Sequence, residues 1–593
     1  MLTKGTVRGI ISNLVIVEAD GPIAQNEIAY INHDGTRMMA EVIKVVGNNA
    51  NLQVFESTRG LVIGAEVEFQ GHMLEVVLGP GLLQRNLDGL ENDLDKMSGV
   101  FLKRGEYTFP LDENKLWLFK PISKVGDKVS AGSWLGEVDE NFQSHKIMVP
   151  FVSKGDYKIK SIAAEGEYNI YHTIAVIEDS EGNETEVNMI QRWPVKIPLT
   201  VYKDKPRPFK LLETGVRAID TLNPIVEGGT GFIPGAFGTG KTVLQHAISK
   251  QAEADIVIFA ACGERANEVV EIFTEFPKLI DPHTGRRLME RTIIVANTSN
   301  MPVAAREASV YTAMTIAEYY RSMGLKVLLM ADSTSRWAQA LREMSNRLEE
   351  LPGPDAFPMD LSATISNFYG RAGHVILNNG EEGSITFLGT VSPAGGNLKE
   401  PVTENTKKVA RCFYALEQDR ADKKRYPAIN PIESYSKYFE YPEFERYISE
   451  HISDDWTEKV REIKTRLVRG KEIAEQINIL GDDGVPVEFH TTFWKSEFID
   501  FVILQQDSFD DVDAVSSIER QKNILDLVID VCRTNLEFDN FNDVAAFFKE
   551  LINVGRQMNY SEYESDKFND YYNQLQEMIS SKNANHTEEV IVE

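Results

Sequence analysis

The chain has 593 residues and a formal net charge of −28, with 42% apolar and 26% charged residues. This composition is typical of a globular protein with room for three or four domains. The acidic balance disfavours a nucleic-acid-binding protein, because such proteins grip phosphates with lysine and arginine. Three widely separated cysteines, Cys262, Cys412 and Cys532, lack the spacing of a metal site or a disulfide framework. No apolar run approaches the roughly 18 residues of a membrane-spanning helix.

The first 190 residues are rich in short strands. Residues 1–72 alternate apolar segments with turns such as Asp34-Gly35, which predicts a small antiparallel β-barrel. Residues 73–110 are a connector that leads towards a nucleotide-binding domain, and residues 111–190 return to short strands. Glycine turns in this second region resemble those of biotinyl and lipoyl carrier domains. Lys146, the nearest candidate for a carrier lysine, lies beside a predicted strand, so we interpret the region as an inserted β-domain used for packing or assembly.

From residue 191 to residue 435 strands and helices alternate, which is typical of a parallel sheet covered by helices. Ligands of such sheets bind at the carboxyl ends of the strands. From residue 436 to residue 593 the chain becomes mainly helical and strongly charged. The sequence therefore predicts a multidomain α/β protein with an N-terminal β-barrel, an inserted β-rich bulge domain, a RecA-like P-loop nucleotide-binding domain with a parallel sheet, and a C-terminal helical domain.

A glycine-rich segment in the third region fits the phosphate-binding pattern G-x-x-x-x-G-K-[ST], with an apolar stretch before it and a helical pattern after it. Glycines let backbone N–H groups turn towards phosphate oxygens, and the following helix points its positive end at the same anion. Lys241 would reach the β- and γ-phosphates, and the Thr242 hydroxyl would bind Mg²⁺. The predicted nucleotide-binding residues here are Gly235, Ala236, Phe237, Gly238, Thr239, Gly240, Lys241, Thr242 and Val243.

Two carboxylates end apolar strands of the same region. Asp332 has the Walker-B arrangement, in which a strand delivers a carboxylate to the water shell of Mg²⁺. Glu264 ends the strand after the loop helix, where it could orient the water that attacks the γ-phosphorus, and Arg265 could pair with it or reach the phosphates. We predict Glu264, Lys241 and Arg265 as catalytic residues, and Thr242 and Asp332 as metal ligands.

Three further residues are candidates for nucleotide contacts. Arg336 lies one turn beyond Asp332 and would face the phosphates. Tyr426, in a proline-bracketed loop, and Phe509 could stack on the two faces of a purine. For single aromatic residues the competing interpretation is a place in the hydrophobic core.

Together these segments resemble the catalytic A subunit of the vacuolar/archaeal-type rotary ATPases, and the resemblance extends over nearly the whole chain, including the insertion at residues 111–190. It implies ATP and ADP as ligands, Mg²⁺ as the metal, and an alternating ring of three A-type and three B-type non-catalytic subunits that share nucleotide sites. It also implies contacts with the central stalk, a peripheral stalk and, indirectly, the membrane sector that translocates H⁺ or Na⁺. The expected location is the cytoplasmic face of a membrane.

The resemblance also implies roles for individual residues. Lys241, Thr242, Glu264, Arg265 and Asp332 correspond to the family's phosphate-binding lysine, Mg²⁺-binding threonine, catalytic glutamate, phosphate-side arginine and Walker-B aspartate. Eukaryotic members carry a cysteine in the phosphate loop, where this chain has a threonine at residue 239. This difference disfavours disulfide regulation and indicates a prokaryotic member.

Three other functions fit parts of the pattern. A non-catalytic partner subunit is disfavoured by the combination of Lys241, Thr242 and Glu264. A RecA-like hexameric P-loop ATPase or translocase not coupled to ion transport is disfavoured by the negative charge and by the lack of a basic, aromatic stretch for nucleic-acid strands. A scaffold with a vestigial site is the third alternative, and loss of Lys241 without consequence would support it.

Overall fold

The computed structural model describes residues 2–97, 105–299 and 301–583. Six antiparallel strands form the first region: β1 (Lys4–Ile11), β2 (Leu14–Ala19), β3 (Glu27–His33), β4 (Thr36–Val46), β5 (Asn49–Val54) and β6 (Glu66–Met73). They close into a barrel in the order β1-β2-β5-β4-β3-β6. Alternate side chains such as Val15, Val17 and Ile31 fill its interior, as the period of two along a strand requires. The predicted N-terminal barrel is confirmed.

The inserted β-rich region is a sandwich of two four-stranded sheets. The connector and the insertion contain β7 (Glu75–Leu78), β8 (Asn86–Leu87), β9 (Trp117–Pro121), β10 (Lys128–Val129), β11 (Trp134–Glu140), β12 (Gln143–Met148), β13 (Tyr157–Ile162), β14 (Gly166–Tyr168), β15 (Ala175–Glu178), β16 (Glu184–Val187) and β17 (Gln191–Pro194). One sheet has the order β10-β13-β15-β16, and the other has the order β12-β11-β9-β14. β17 pairs with β7 in a separate two-stranded sheet. Lys146 lies inside β12 and pairs with Glu137, so it is not the exposed hairpin lysine of a carrier domain.

The third region alternates strands and helices around one large sheet. Its elements are α1 (Arg217–Asp220), β18 (Thr230–Pro234), α2 (Lys241–Gln251), β19 (Ile256–Glu264), α3 (Ala266–Glu275), β20 (Thr292–Thr298), α4 (Val303–Arg321), β21 (Lys326–Asp332), α5 (Thr334–Arg347), α6 (Leu361–Tyr369), β22 (Gly373–Ile376), β23 (Glu382–Val391), α7 (Pro401–Val409), β24 (Cys412–Phe413), α8 (Gln418–Asp422) and β25 (Tyr435–Ser436). The sheet has the order β25-β24-β18-β23-β21-β19-β20-β8, with β22 also paired to β23.

This sheet confirms the predicted parallel core and departs from it at two strands. β18, β19, β20, β21 and β23 run parallel, and their side chains are buried on both faces, which explains the continuous apolar runs in the sequence. β22 and β25 are antiparallel to their neighbours. Because β23 lies between β18 and β21, the strand before the phosphate loop and the strand that ends in Asp332 flank one common neighbour.

The described part of the last region contains six α-helices: α9 (Pro442–His451), α10 (Trp456–Leu480), α11 (Val487–Ile499), α12 (Ile518–Arg533), α13 (Phe541–Asn559) and α14 (Asp566–Ser581). A π-helical turn, Asp500–Leu504, extends α11. Arg217 of α1 is fully buried, and its guanidinium donates to Asp513 Oδ1 (2.6 Å) beyond that turn, so the two regions share one interior. Among the helices the structure describes, none is long and apolar enough to cross a membrane.

A buried polar cluster attaches the inserted sandwich to the sheet domain. His145 Nδ1 contacts Glu140 Oε2 (2.5 Å), and His145 Nε2 contacts the hydroxyl of Tyr319 on α4 (2.8 Å). The neighbouring Tyr320 hydroxyl donates to the same oxygen, Glu140 Oε2 (3.1 Å). The other carboxylate oxygen, Glu140 Oε1, accepts from the Gly81 N–H (2.6 Å). All four side chains are buried, and the charge of His145 favours the ionised carboxylate, so the pKa of Glu140 lies below its usual value despite burial.

We predict that His145→Ala destabilises the protein by about 3–5 kcal/mol, because it leaves a buried carboxylate without its main partner. Thermal unfolding and limited proteolysis of the inserted sandwich measure the effect. Lys160→Ala is the matched control, since Lys160 makes an exposed ion pair with Glu184 in the same sandwich. Equal unfolding temperatures for His145→Ala and the control would contradict the prediction.

Candidate nucleotide-binding site

The phosphate loop joins β18 to α2 and is held in shape by its own polar groups. Gly238 and Gly240 have φ values of +83° and +89°, a left-handed conformation that favours glycine. The Lys241 ammonium donates to the carbonyls of Gly235 (2.7 Å) and Ala236 (3.0 Å). The buried Thr239 hydroxyl also donates to the Ala236 carbonyl (2.8 Å). The loop therefore brings its lysine to the carboxyl edge of the sheet.

Oxygen ligands suited to Mg²⁺ lie beside this lysine. The Thr242 hydroxyl donates to Asp332 Oδ2 (3.3 Å), and Asp332 Oδ1 accepts from the Thr390 hydroxyl (2.6 Å) at the end of β23. One hydroxyl and one carboxylate fit Mg²⁺, which prefers hard oxygen ligands and fills its other positions with water and phosphate oxygens. No group of three or more His, Cys, Asp or Glu side chains that could hold a metal ion occurs within residues 2–97, 105–299 and 301–583.

The electrostatics of the site are dominated by buried carboxylates. The pKa of Glu264 is raised to about 8: burial is the largest cause, the charge of Asp332 and a hydrogen bond with Glu268 also raise it, and Arg336 opposes the shift. Burial likewise raises the pKa of Asp332. Burial lowers the pKa of Lys241, against the pull of these carboxylates. Ionised carboxylates are therefore costly here unless a cation joins them.

The two predicted arginines lie at the mouth of the site. The Arg265 guanidinium stacks on the ring of Phe237, 5.2 Å from its centroid, which differs from the pairing with Glu264 considered above. The Phe237 ring is 78% exposed. Arg336 Nη1 donates to Gln339 Oε1 (3.2 Å) on its own helix, and Arg336 lines the same cleft as Arg265. Both arginine side chains thus line the cleft that the phosphate loop also lines.

Two aromatic residues form the far end of the same cleft. Tyr426 and Phe509 are 42% and 86% exposed, so the competing interpretation that they belong to the hydrophobic core is wrong. A Cβ placed at Gly240 would lie 3.5 Å from Tyr426 Cε1, so the ring rests against the phosphate loop. The Tyr426 carbonyl accepts from the Gln506 N–H (2.9 Å), which links the two loops that carry the aromatic residues.

Most of the predicted residues line one cleft of about 800 Å³, within the usual range for small-molecule sites. The members are Phe237, Gly238, Gly240, Lys241, Thr242, Val243, Glu264, Arg265, Asp332, Arg336, Tyr426 and Phe509. Gly235, Ala236 and Thr239 do not line the cleft. They stabilise the loop instead, through the carbonyls that accept from Lys241 and through the Thr239 hydroxyl.

Among the residues of this site that sequence reasoning missed are Glu268, Thr390 and Phe501. Glu268 lies in the first turn of α3, directly after the strand that ends in Glu264, so the rule on carboxyl ends of strands could have found it. Thr390 is the penultimate residue of β23, and the same rule could have found it. Phe501 lines the cleft from the π-helical turn, and no local sequence signal marks it.

Known proteins match this chain along its length. The nucleotide-binding domain of the ATP synthase alpha/beta family matches residues 215–436, the alpha/beta subunit barrel-sandwich domain matches residues 108–196, and the family's beta-barrel domain matches residues 7–71. A V-type ATP synthase alpha chain from Borreliella afzelii (strain PKo) is 49% identical over 98% of this chain and 100% of its own length.

Two further relatives give the same result. V-type ATP synthase alpha chains from Borreliella burgdorferi (strain ATCC 35210) and Borrelia turicatae (strain 91E135) are each 48% identical over 98% of this chain, and the matches cover 100% and 99% of those relatives. The resemblance drawn from the sequence is confirmed. This chain belongs to the ATP synthase alpha/beta family and, within it, to the V-type ATP synthase alpha chains.

Proposed function

We propose that this protein is the catalytic subunit of a rotary V-type ATPase and binds Mg-ATP in the cleft between the phosphate loop and the helical domain. One observation carries the proposal: Lys241, Glu264 and Asp332 come from three separate segments and meet at the carboxyl edge of one parallel sheet. Nucleotide triphosphatases need a cation for the phosphates, a carboxylate for the metal and a carboxylate for the attacking water. The near-full-length V-type relatives support the same function.

Each residue has a distinct role in hydrolysis. Lys241 leaves the loop carbonyls and binds the β- and γ-phosphates, while backbone N–H groups of the loop surround them. Glu264, when ionised, orients the attacking water and accepts its proton as the water oxygen bonds to the γ-phosphorus; the bond from the γ-phosphorus to the β–γ bridging oxygen breaks, and ADP leaves with that oxygen. Arg265 and Arg336 offset the negative charge on the transferred group. Tyr426 and Phe509 stack on the base.

Mg²⁺ would be held by Thr242 and Asp332, and it would supply charge neutralisation between the β- and γ-phosphates. Thr390 keeps one oxygen of Asp332 fixed, so the other oxygen faces Thr242. The Asp332 carboxylate thus has a defined direction before any ligand binds, which lowers the cost of assembling the site.

The cleft is completed by other subunits in this proposal. Phe237 and Phe509 both line the cleft and expose most of their rings, as side chains do that a ligand or a partner covers. We infer that a B-type subunit covers this side in an alternating ring of three plus three and contributes an arginine finger. The ring would turn the central stalk against a peripheral stalk, at the cytoplasmic face of the membrane sector that translocates H⁺ or Na⁺.

The alternative functions are less well supported. The relatives that match over nearly the full length are V-type ATP synthase alpha chains, whereas a RecA-like translocase uncoupled from ion transport would have no need for the inserted sandwich. A non-catalytic nucleotide-binding subunit would not require Glu264 in the cleft beside Lys241 and Asp332. A vestigial site is disfavoured because the complete set of groups is present.

The proposal predicts that the chain alone hydrolyses Mg-ATP slowly and that assembly with its B-type partner raises the rate by about 10³–10⁵, the usual contribution of an arginine finger. Glu264→Gln should lower the assembled rate by about 10²–10⁴, because it removes the base that takes the proton from water. Steady-state phosphate release, with and without the partner, measures both effects.

Glu275→Gln is the matched control, since this exposed carboxylate ends α3, the helix that follows Glu264, and pairs with Lys278. It should leave the rate unchanged. Equal rates with and without the partner would mean that the site is complete within one chain. Hydrolysis that survives Glu264→Gln would assign the base to another residue.

The same residue predicts how stability depends on pH. The pKa of Glu264 is about 8 in the folded, ligand-free chain and near 4.5 in the unfolded chain. Between pH 4.5 and pH 8 the folded state therefore binds more protons at Glu264 than the unfolded state does. The free energy of unfolding consequently falls as the pH rises through this range. Glu264→Gln should therefore raise the unfolding temperature of the ligand-free chain at pH 8, by roughly 2–4 °C per kcal/mol recovered, and have little effect at pH 4.5. An equal shift at both pH values would contradict this assignment.

A further inference from the structure

We propose that Arg425 is a positioning residue for nucleotide binding, and that Glu497 on α11 holds it in place from the helical domain. Through this contact the orientation of the helical domain would set the affinity of the base end of the cleft. The inference rests on the proposed function, because it requires a purine to bind against Tyr426.

The contact between the two residues is a paired, partly buried ion pair. Arg425 Nη1 donates to Glu497 Oε1 (3.1 Å) and Arg425 Nη2 donates to Glu497 Oε2 (2.7 Å). The two side chains are 23% and 19% exposed, and Arg425 also contacts Asp500. Two parallel hydrogen bonds between a guanidinium and a carboxylate fix direction as well as distance. Arg425 therefore cannot move without either Glu497 moving or this pair breaking.

Arg425 is connected to the cleft in two ways. Tyr426, the next residue, places its ring against Gly240 of the phosphate loop, so any shift of the Arg425 backbone moves this ring. The Arg425 guanidinium also lies 5.0 Å from the centroid of the Phe501 ring, and Phe501 lines the cleft. The Arg425 side chain thus supports Tyr426 and Phe501, which line the part of the cleft proposed to bind the base, and does not itself line the cleft.

A second arginine, on helix α8 just before Arg425, allows positioning to be separated from domain attachment. Arg420 donates to both oxygens of Asp500 (2.7 and 3.2 Å) and is almost fully buried. This pair, together with Arg217 and Asp513, joins the helical domain to the sheet domain without Glu497. Removing Glu497 should therefore leave Arg425 paired with Asp500 alone, without the paired geometry, and leave the domains joined.

The location of Glu497 suits a mechanical link. Glu497 lies in the last turn of α11, immediately before the π-helical turn Asp500–Leu504. A tilt of α11 relative to the sheet would displace its carboxylate from Arg425, while Arg420 and Asp500 would act as the pivot. Such a tilt would loosen Tyr426 and weaken nucleotide binding, so movement of the helical domain and nucleotide affinity would be coupled in both directions.

The test compares two ligands that differ in the presence of a base. We expect Glu497→Gln in the full-length chain to raise the Kd of Mg-ATP by about tenfold, since a hydrogen-bonded charge pair of this kind is lost. The Kd of inorganic tripolyphosphate, which has no base, should change less than about twofold. Arg425→Gln should weaken Mg-ATP binding at least as much as Glu497→Gln, because it also removes the ion pair with Asp500, and the double variant should be no weaker than Arg425→Gln.

Two further variants make the result interpretable. Glu472→Gln removes a carboxylate from an exposed ion pair with Arg469 on α10 and should leave both Kd values unchanged. Arg425→Lys keeps the charge but loses the paired geometry, and it should weaken Mg-ATP binding by a smaller factor even if Glu497→Gln fails to fold.

Three outcomes would overturn the inference. Wild-type affinity of Glu497→Gln and Arg425→Lys for Mg-ATP would mean that the pair positions nothing. An equal loss for Mg-ATP and tripolyphosphate would indicate a purely structural role. If the wild-type chain binds neither ligand, the proposed function is overturned and the inference with it. The wild-type measurement comes first, so this outcome is distinguished from a failure of the inference alone.

Discussion

The hydrogen bond between Thr242 and Asp332 (3.3 Å) is the contact on which the site depends, because it joins the helix after the phosphate loop to the sheet. Parallel strands end at the same edge, so the strand that carries Asp332 necessarily brings it near the end of β19, where Glu264 lies. The cost of this arrangement is electrostatic. Buried carboxylates surround Lys241, and their pKa values rise, so the site is poised to accept a cation together with an anionic ligand.

The two ends of the cleft have different origins. The end that contains the phosphate loop is lined by loop and strand ends of the sheet domain, among them Lys241, Glu264 and Asp332. The base end lies at the junction with the helical domain, where Tyr426 comes from one side and Phe509 from the other. Arg217 and Arg420 close this junction with buried ion pairs. In the proposed function, the groups that act on the phosphates therefore belong to the sheet domain. The wall that contacts the base, with Tyr426 and Phe509, lies at the junction and can move with the helices.

The sequence allowed most of the fold and the phosphate end to be predicted, for a physical reason. Strand periodicity, the glycine pattern and carboxylates at strand ends are local signals, and a parallel sheet converts them into one place in space. The antiparallel strands β22 and β25 escaped prediction because four or two residues carry no periodicity. The stacking of Arg265 on Phe237 and the pair between Arg425 and Glu497 depend on tertiary packing, and no spacing rule links residues so far apart.

We propose that Thr242 and Asp332 hold the metal of the bound metal–nucleotide complex. The most direct test is calorimetric titration of ATP into the full-length chain with and without Mg²⁺, for the wild type and for Asp332→Asn. We predict that Mg²⁺ strengthens ATP binding to the wild type by at least about tenfold, and that Asp332→Asn, which keeps the shape but loses the charge, abolishes most of this gain. The same Mg²⁺-dependent gain in both proteins would contradict the claim.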